Sequence, residues 1–144
     1  MNRITFMEIG GKSFPLSFSL GLIKGINGKF GSFSNIEDAF NSIDEELSNE
    51  SIEAISFLIY QMIHQGALYL NTFGETGDIP ENIAKTPDGK FMELTEEQIE
   101  VGLSVTDIEE SMSAITKAMD LSNKEEISIS SNGESKNENP TLPV

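Results

Sequence analysis

The side chains able to do chemistry in this chain of 144 residues are many carboxylates, nine cations and a single histidine, with no cysteine and no tryptophan. Without a thiol there is no disulfide framework, no thiolate nucleophile and no Cys-ligated zinc or iron–sulfur site. One histidine, His64, argues against a His-based zinc site and against a catalytic triad. It lies within an apolar stretch and is expected to be a buried, hydrogen-bonded structural residue. The carboxylates fall in runs such as Asp44-Glu45-Glu46, Glu96-Glu97 and Glu109-Glu110. Such runs read as solvated helix faces or as favourable charges near helix N-termini. A calcium loop needs acidic residues at alternating offsets ahead of a central glycine, and Asp78 to Gly89 lacks that pattern. Neither a phosphate-binding glycine motif nor a Gly-x-Ser-x-Gly elbow occurs. The residues therefore predict no catalytic, metal or cofactor site, and the chain reads as a binding or assembly protein.

Charge narrows the partners. Lys and Arg total 9 against 24 Asp and Glu, a net charge of −15. That balance argues against nucleic-acid binding, which depends on cations that displace the phosphate counterions. An anionic membrane surface repels the chain for the same reason. The charge is also uneven, +3 over residues 1–30 and −18 over residues 31–144. A mildly basic N-terminal element could dock on an acidic neighbour, including a second copy of the chain, or the bias could be ordinary solvated surface. No apolar signal-peptide core comes after Met1-Asn2-Arg3. The most apolar stretch, Ile52 to Leu70, is interrupted by Glu53, Gln61, His64, Gln65 and Gly66, a poor fit to a membrane span. A soluble, cytosolic protein is expected.

The elements that position these residues begin with two β-prone runs, Ile4 to Ile9 and Lys12 to Leu16, flanking Gly10-Gly11. Both glycines can take positive φ, so the pattern predicts a hairpin, and Pro15 suits an edge position. An isolated hairpin is marginal in water and must pack on a later element of the chain. Ser19 can cap a short helix from Leu20, with Leu22, Ile23, Ile26 and Phe30 at helical spacing and Gly31 at the stop. Gly21-x-x-x-Gly25 permits close packing, although such a match is weak in a soluble chain.

Ser34-x-x-Glu37 is a capping box for a second helix, with Ile36, Ala39, Phe40, Ile43 and Leu47 on one stripe. Asn49 or Ser51 starts a third. Its apolar positions, Ile52, Ile55, Leu58, Ile59, Met62 and Ile63 with Phe57, Tyr60 and Leu68 beside them, are more than one buried face requires. That helix is either central in a bundle or buried in an interface. From Asn71 to Glu93 periodicity fades into a long loop, with a strong turn at Thr86-Pro87-Asp88-Gly89. Thr95-x-x-Gln98 is a capping box with a Leu94–Ile99 staple, opening a helix to about Leu103. Thr106-x-x-Glu109 opens another, with Ile108, Met112, Ile115 and Met119 on one side. From Ser122 onward large apolar residues are scarce, so residues 122–144 are expected to be a disordered polar tail. The expected fold is mainly α: a compact helical bundle with a small N-terminal β-hairpin, one domain over residues 1–121.

The order of these elements is familiar. Ile9-Gly10-Gly11-Lys12-Ser13-Phe14-Pro15-Leu16, then Gly21-Leu22-Ile23-Lys24 and Lys29-Phe30-Gly31, resembles the opening of the tail assembly chaperones of long-tailed bacteriophages. The likeness continues through the apolar helix Ser51 to Gly66 and through Leu94-Thr95-Glu96-Glu97-Gln98-Ile99. It spans roughly residues 4–120. The resemblance implies a non-enzymatic chaperone in the host cell cytoplasm. It would coat the apolar, helical tape measure protein before tail tube subunits polymerise. It also implies a mostly helical fold and homo-oligomers, since some members form rings or spirals. In many members a programmed frameshift yields a longer product whose extension recruits the tail tube protein.

An apolar helical client needs apolar helix faces to dock on, and adaptable methionines suit varied contacts. The residues expected to bind client or a second copy are therefore Ile55, Phe57, Leu58, Tyr60, Met62, Ile63, Met112, Ile115 and Met119. Two other readings compete. One is a structural virion component, either a head–tail connector or a tube-associated subunit. The other is a small acidic host-directed inhibitor that mimics nucleic acid, for which dense acidic stripes with little apolar surplus would be the mark.

Overall fold

The computed structural model describes residues 4–32, 47–74 and 78–119. The fold is mainly α with one N-terminal hairpin: β1 (Thr5–Ile9), β2 (Lys12–Leu16), α1 (Leu20–Phe30), α2 (Asn49–Phe73), α3 (Glu96–Gly102) and α4 (residues 108–119), α4 being entered through a 3-10 turn at Val105–Asp107. The helix expected after Ser34 and the tail expected after Ser122 lie outside the described residues.

Gly10 and Gly11 take φ of +60° and +84°, the positive pair that a two-residue hairpin with the native twist requires. The resulting register pairs Thr5 with Leu16, Met7 with Phe14 and Ile9 with Lys12. Pro15 lies opposite Phe6, at a position whose backbone points away from β1, so its missing N–H costs no bond in the hairpin.

Each helix starts where a side chain can accept an orphan amide. Ser19 accepts from the Leu22 amide at 3.2 Å, and the Gly31 amide donates to the Asn27 carbonyl at 2.9 Å to close α1. Ser48, one residue before the expected start, accepts from the Ser51 amide at 3.1 Å and caps α2. Thr95 and Gln98 form the reciprocal capping box of α3. The cap of the last helical segment differs from the expected one. Ser104 rather than Thr106 takes that place, its amide donating to the Asp107 carboxylate at 2.8 Å. Asp107 stands three residues after Ser104, the spacing at which a side chain reaches back to the cap amide.

α2 is the axle. Ala54, Ile59, Met62, Ile63 and Ala67 are fully buried along it, joined by Met7, Phe14 and Leu16 of the hairpin, Leu22 and Ile26 of α1, Ile99 of α3, and Ile115 and Ala118 of α4. Each large apolar side chain buried this way contributes about 1.5–3 kcal/mol. At the far end of α2, Ala67 and Leu70 meet Ile4 and Phe91 in a second cluster.

Contacts of α1 with α2 explain its glycines. A Cβ on Gly21 would sit 2.5 Å from Gln65 Oε1, and one on Gly25 would sit 3.0 Å from Gln61 Cδ. The Gly21-x-x-x-Gly25 match thus marks a real close approach, made against two half-buried glutamines. Gly28 has open space around it and ordinary helical φ. There the glycine only lowers helix stability, so Gly28→Ala is expected to stabilise the protein by about 0.5–1 kcal/mol. A urea midpoint that stays unchanged or falls would contradict this.

The stretch expected to be a long loop is the main correction. α2 runs on to Phe73, and Gly74 closes it at φ +92°. Residues 82–84 are hydrogen-bonded to the hairpin, with Ser13 in a parallel bridge to Ile83, and within the segment Lys85 forms an antiparallel bridge with Phe91. The Ser13 amide donates to the Asn82 carbonyl at 3.0 Å, and the Ala84 amide to the Ser13 carbonyl at 2.9 Å. The outer edge of β2 at Ser13 is therefore closed by the later segment.

Candidate functional site

The nine residues expected to bind client or a second copy divide into two groups. Ile55, Phe57, Leu58, Met62, Ile63 and Ile115 are buried, between 0% and 7% exposed. Tyr60, Met112 and Met119 are partly buried and pack against the same core. Of the two readings left open for α2, the structure takes the central one. The surplus of apolar positions is used up by neighbours inside the chain, with the hairpin and α1, α3 and α4 each covering part of the helix. Phe57 illustrates it: the Phe30 ring meets it edge-on at 5.4 Å, and Lys29 Nζ lies 5.2 Å from its centroid. These six side chains are therefore not a free docking face.

An apolar cleft lies nearby. The first half of α2 supplies Ile52, Ile55 and Ser56, spaced to share one face. α3 supplies Ile99 and Leu103, and the turn into α4 supplies Val105 and Ile108. The cleft holds about 210 Å³. Ser56 adds little polarity, because its hydroxyl donates to the Ile52 carbonyl at 2.8 Å. Among the described residues Glu100 is the one charged side chain on the lining, to which Leu47 also belongs. Leu47 and Val105 are 37% and 73% exposed, and Val101 on α3 is 83% exposed. The Ser104–Asp107 cap fixes the turn that carries Val105. Such a cleft can take apolar side chains projecting from a partner helix; Ile55 on its floor is the one expected residue that belongs to it.

Sequence reasoning missed Leu103, Val105 and Leu47 as a group. Each is a single apolar residue on a short or neighbouring element, and only the fold brings them to one cleft. Val101 on α3 and Val105 on the turn after it were the available signal, apolar residues off the spacing of Ile99, Leu103 and Ile108, of which Ile99 is buried and the other two half-buried.

Polar side chains away from the cleft hold the frame. His64 is not buried: it is 41% exposed, and its Nδ1 is 2.7 Å from the Glu93 carboxylate, itself 43% exposed. Burial failed for His64 because Glu93, reached only through residues 78–93, offers a partner at the surface. Asn82 ties that segment to the hairpin. Its Oδ1 accepts from the Ser13 hydroxyl at 2.8 Å, and its Nδ2 donates to Glu8 at 2.9 Å and to the Gly11 carbonyl at 3.3 Å. Asn71 imitates a strand partner, accepting from the Phe91 amide at 3.0 Å. In the Thr86–Lys90 turn, the Thr86 hydroxyl donates to Asp88 and holds its carboxyl below the ordinary carboxylate range. Among the described residues, no three His, Asp or Glu side chains come together as a metal site would require. No described helix is long and apolar enough to cross a membrane.

No protein family, curated protein or solved structure matches this chain.

Proposed function

We propose that this protein is a non-enzymatic tail assembly chaperone that holds apolar helices of a phage tape measure protein in solution, in the host cell cytoplasm, until the tail tube polymerises. The observation that carries the reading is the apolar cleft between α2 and the α3–α4 turn, open to solvent beside Leu47 and Val105. An amphipathic helix lays residues three and four apart into such a cleft. The order of hairpin, glycine-bearing helix and apolar helix, which resembles that family, supports the same client. The net charge of −15 supports it too, because a loaded complex that stays strongly charged resists association with other complexes. Homo-oligomers, and recruitment of the tail tube protein by a longer frameshifted product, belong to the same proposal.

Co-expression with the tape measure protein of the same phage tests it, read by size exclusion with light scattering. The expected result is a soluble complex with several copies of this chain per client. The full chain carrying Leu47→Glu and Val105→Glu should keep its wild-type melting temperature within a few degrees, both sites being exposed, and lose the client to the pellet. A client that stays insoluble beside free wild-type protein would sink the proposal and favour a structural role in the virion. A double variant that solubilises the client as wild type does would remove the cleft from it.

A further inference from the structure

The elements that form the apolar cleft carry charge of one sign. Neither residues 30–84 nor residues 91–116 contain a lysine or an arginine, and every lining residue falls within these two stretches. Helical spacing places the carboxylates. Glu100 is on the lining, Glu96 stands one turn before it on α3, and Glu53 stands one turn before Ser56 on α2. Among the described residues, no ion pair engages any of the three.

An ordinary solvated surface accounts for some of this charge but not for Glu100. Glu96, in the first turn of α3, meets the positive end of the helix dipole. Glu100 lies in the last turn of the same helix, Glu96–Gly102, where a carboxylate opposes the dipole and a cation is favoured. It also follows Glu96 by four residues and Glu97 by three, like-charge spacings that weaken a helix. The fold thus keeps, on the wall of an apolar cleft, a carboxylate that destabilises its own helix. A cation brought by a partner offsets both effects, whereas an anionic helix adds to both.

We infer that the helix this cleft takes is basic: two apolar side chains three or four residues apart enter the cleft, and Lys or Arg on the adjoining turns meet Glu100, Glu96 and Glu53. This partner class rests on the docking role proposed above for the cleft. Ile52 to Ser56 is one turn of α2 and Ile99 to Leu103 one turn of α3, which limits the cleft to one such apolar pair. The pair holds the helix, and the charges select it, since complementary potentials set specificity and encounter rate more than raw affinity.

Fluorescence anisotropy with the full chain provides the test. The probes are three capped, Ala-rich peptides of about 15 residues that share two leucines four apart and carry Lys, Gln or Glu on the flanking turns. The Lys peptide should bind best and the Glu peptide worst, about tenfold apart at low salt. That span should close at about 1 M salt, where the screening length falls to about 3 Å. Glu100→Gln should weaken the Lys peptide several-fold, leave the Gln peptide unchanged and not lower the urea midpoint. Glu81→Gln, the same loss of charge away from the cleft lining, should change none of the affinities. Equal binding of the three peptides would overturn the inference and leave the docking role standing. Equal losses in the Glu100 and Glu81 variants would overturn it as attraction to net charge alone, as would undiminished binding of a Lys peptide with both leucines replaced by serine. If none of the three binds, the docking role fails and the inference with it. A wild-type oligomer that Leu47→Glu/Val105→Glu turns into a monomer would overturn it by giving the cleft to a second copy.

Discussion

Lysine in place of Met62 is expected to leave the chain unfolded at room temperature. Met62 is 0% exposed at the middle of α2, and its carbonyl accepts a bond from the Ser17 amide at 3.2 Å. The substitution thus reaches the point where the strand–helix connection packs on the axle. An ammonium placed there enters the apolar cluster that also holds Leu16, Leu22 and Ile59. Its desolvation without a partner costs several kcal/mol, added to the lost packing of the thioether. A domain of this size has about 5–15 kcal/mol in total. The far-ultraviolet circular dichroism should lose most of its helical signal, and the Met62→Leu control, similar in volume, should change stability by less than about 1.5 kcal/mol. A cooperative melt of the lysine variant within a few degrees of wild type would mean that this face of α2 opens to water, as an interface helix would.

Gly66→Ala is the second large effect, and its cause is backbone rather than charge. A Cβ at residue 66 would lie 2.6 Å from the Pro15 carbonyl oxygen and 3.0 Å from the Leu16 amide nitrogen. Those atoms belong to β2, which is held on one side by β1 and, two residues earlier, by the 82–84 segment. Neither the strand nor the buried helix can give the ångström needed without disturbing both clusters of the core. Overpacking typically costs 1–3 kcal/mol and more where the neighbour is rigid. A loss of about 3 kcal/mol in urea unfolding is therefore expected, the reverse of the gain that alanine usually brings to a helix. A stability equal to wild type would show that α2 and β2 are further apart than the structure places them.

Much of this architecture could be read from local chemistry. Gly10-Gly11, Ser19, Gly31 and the Thr95–Gln98 box each specify a turn or a helix end through bonds made within three or four residues, and each lies where the spacing put it. The overloaded stripe of α2 announced a central helix without saying which residues would face a partner, because burial is a property of what surrounds a side chain. Ile55, Leu58 and Met62 look alike in the sequence, yet only Ile55 reaches the cleft. In the segment 78–93 only the Thr86–Gly89 turn was legible, for a related reason. The segment's order comes from Asn82 and Asn71, whose amides bond across 69 and 20 residues. Such bonds leave no period to detect. The cleft was legible only in part, since Leu47, Leu103 and Val105 come from three places along the chain.

The close approach of β2 to Gly66 also has a consequence in time. About fifty residues separate Pro15 from Gly66, and at the usual 5–20 residues per second of synthesis they are made about 3–10 s apart. Throughout that interval the hairpin has its turn but not its packing partner, and two strands alone are marginal in water. The nascent chain therefore waits, with Phe14 and Leu16 uncovered, until the second half of α2 leaves the ribosome. Docking of the hairpin is timed by the appearance of one glycine, and the core closes only when Ile99, Ile115 and Ala118 follow it.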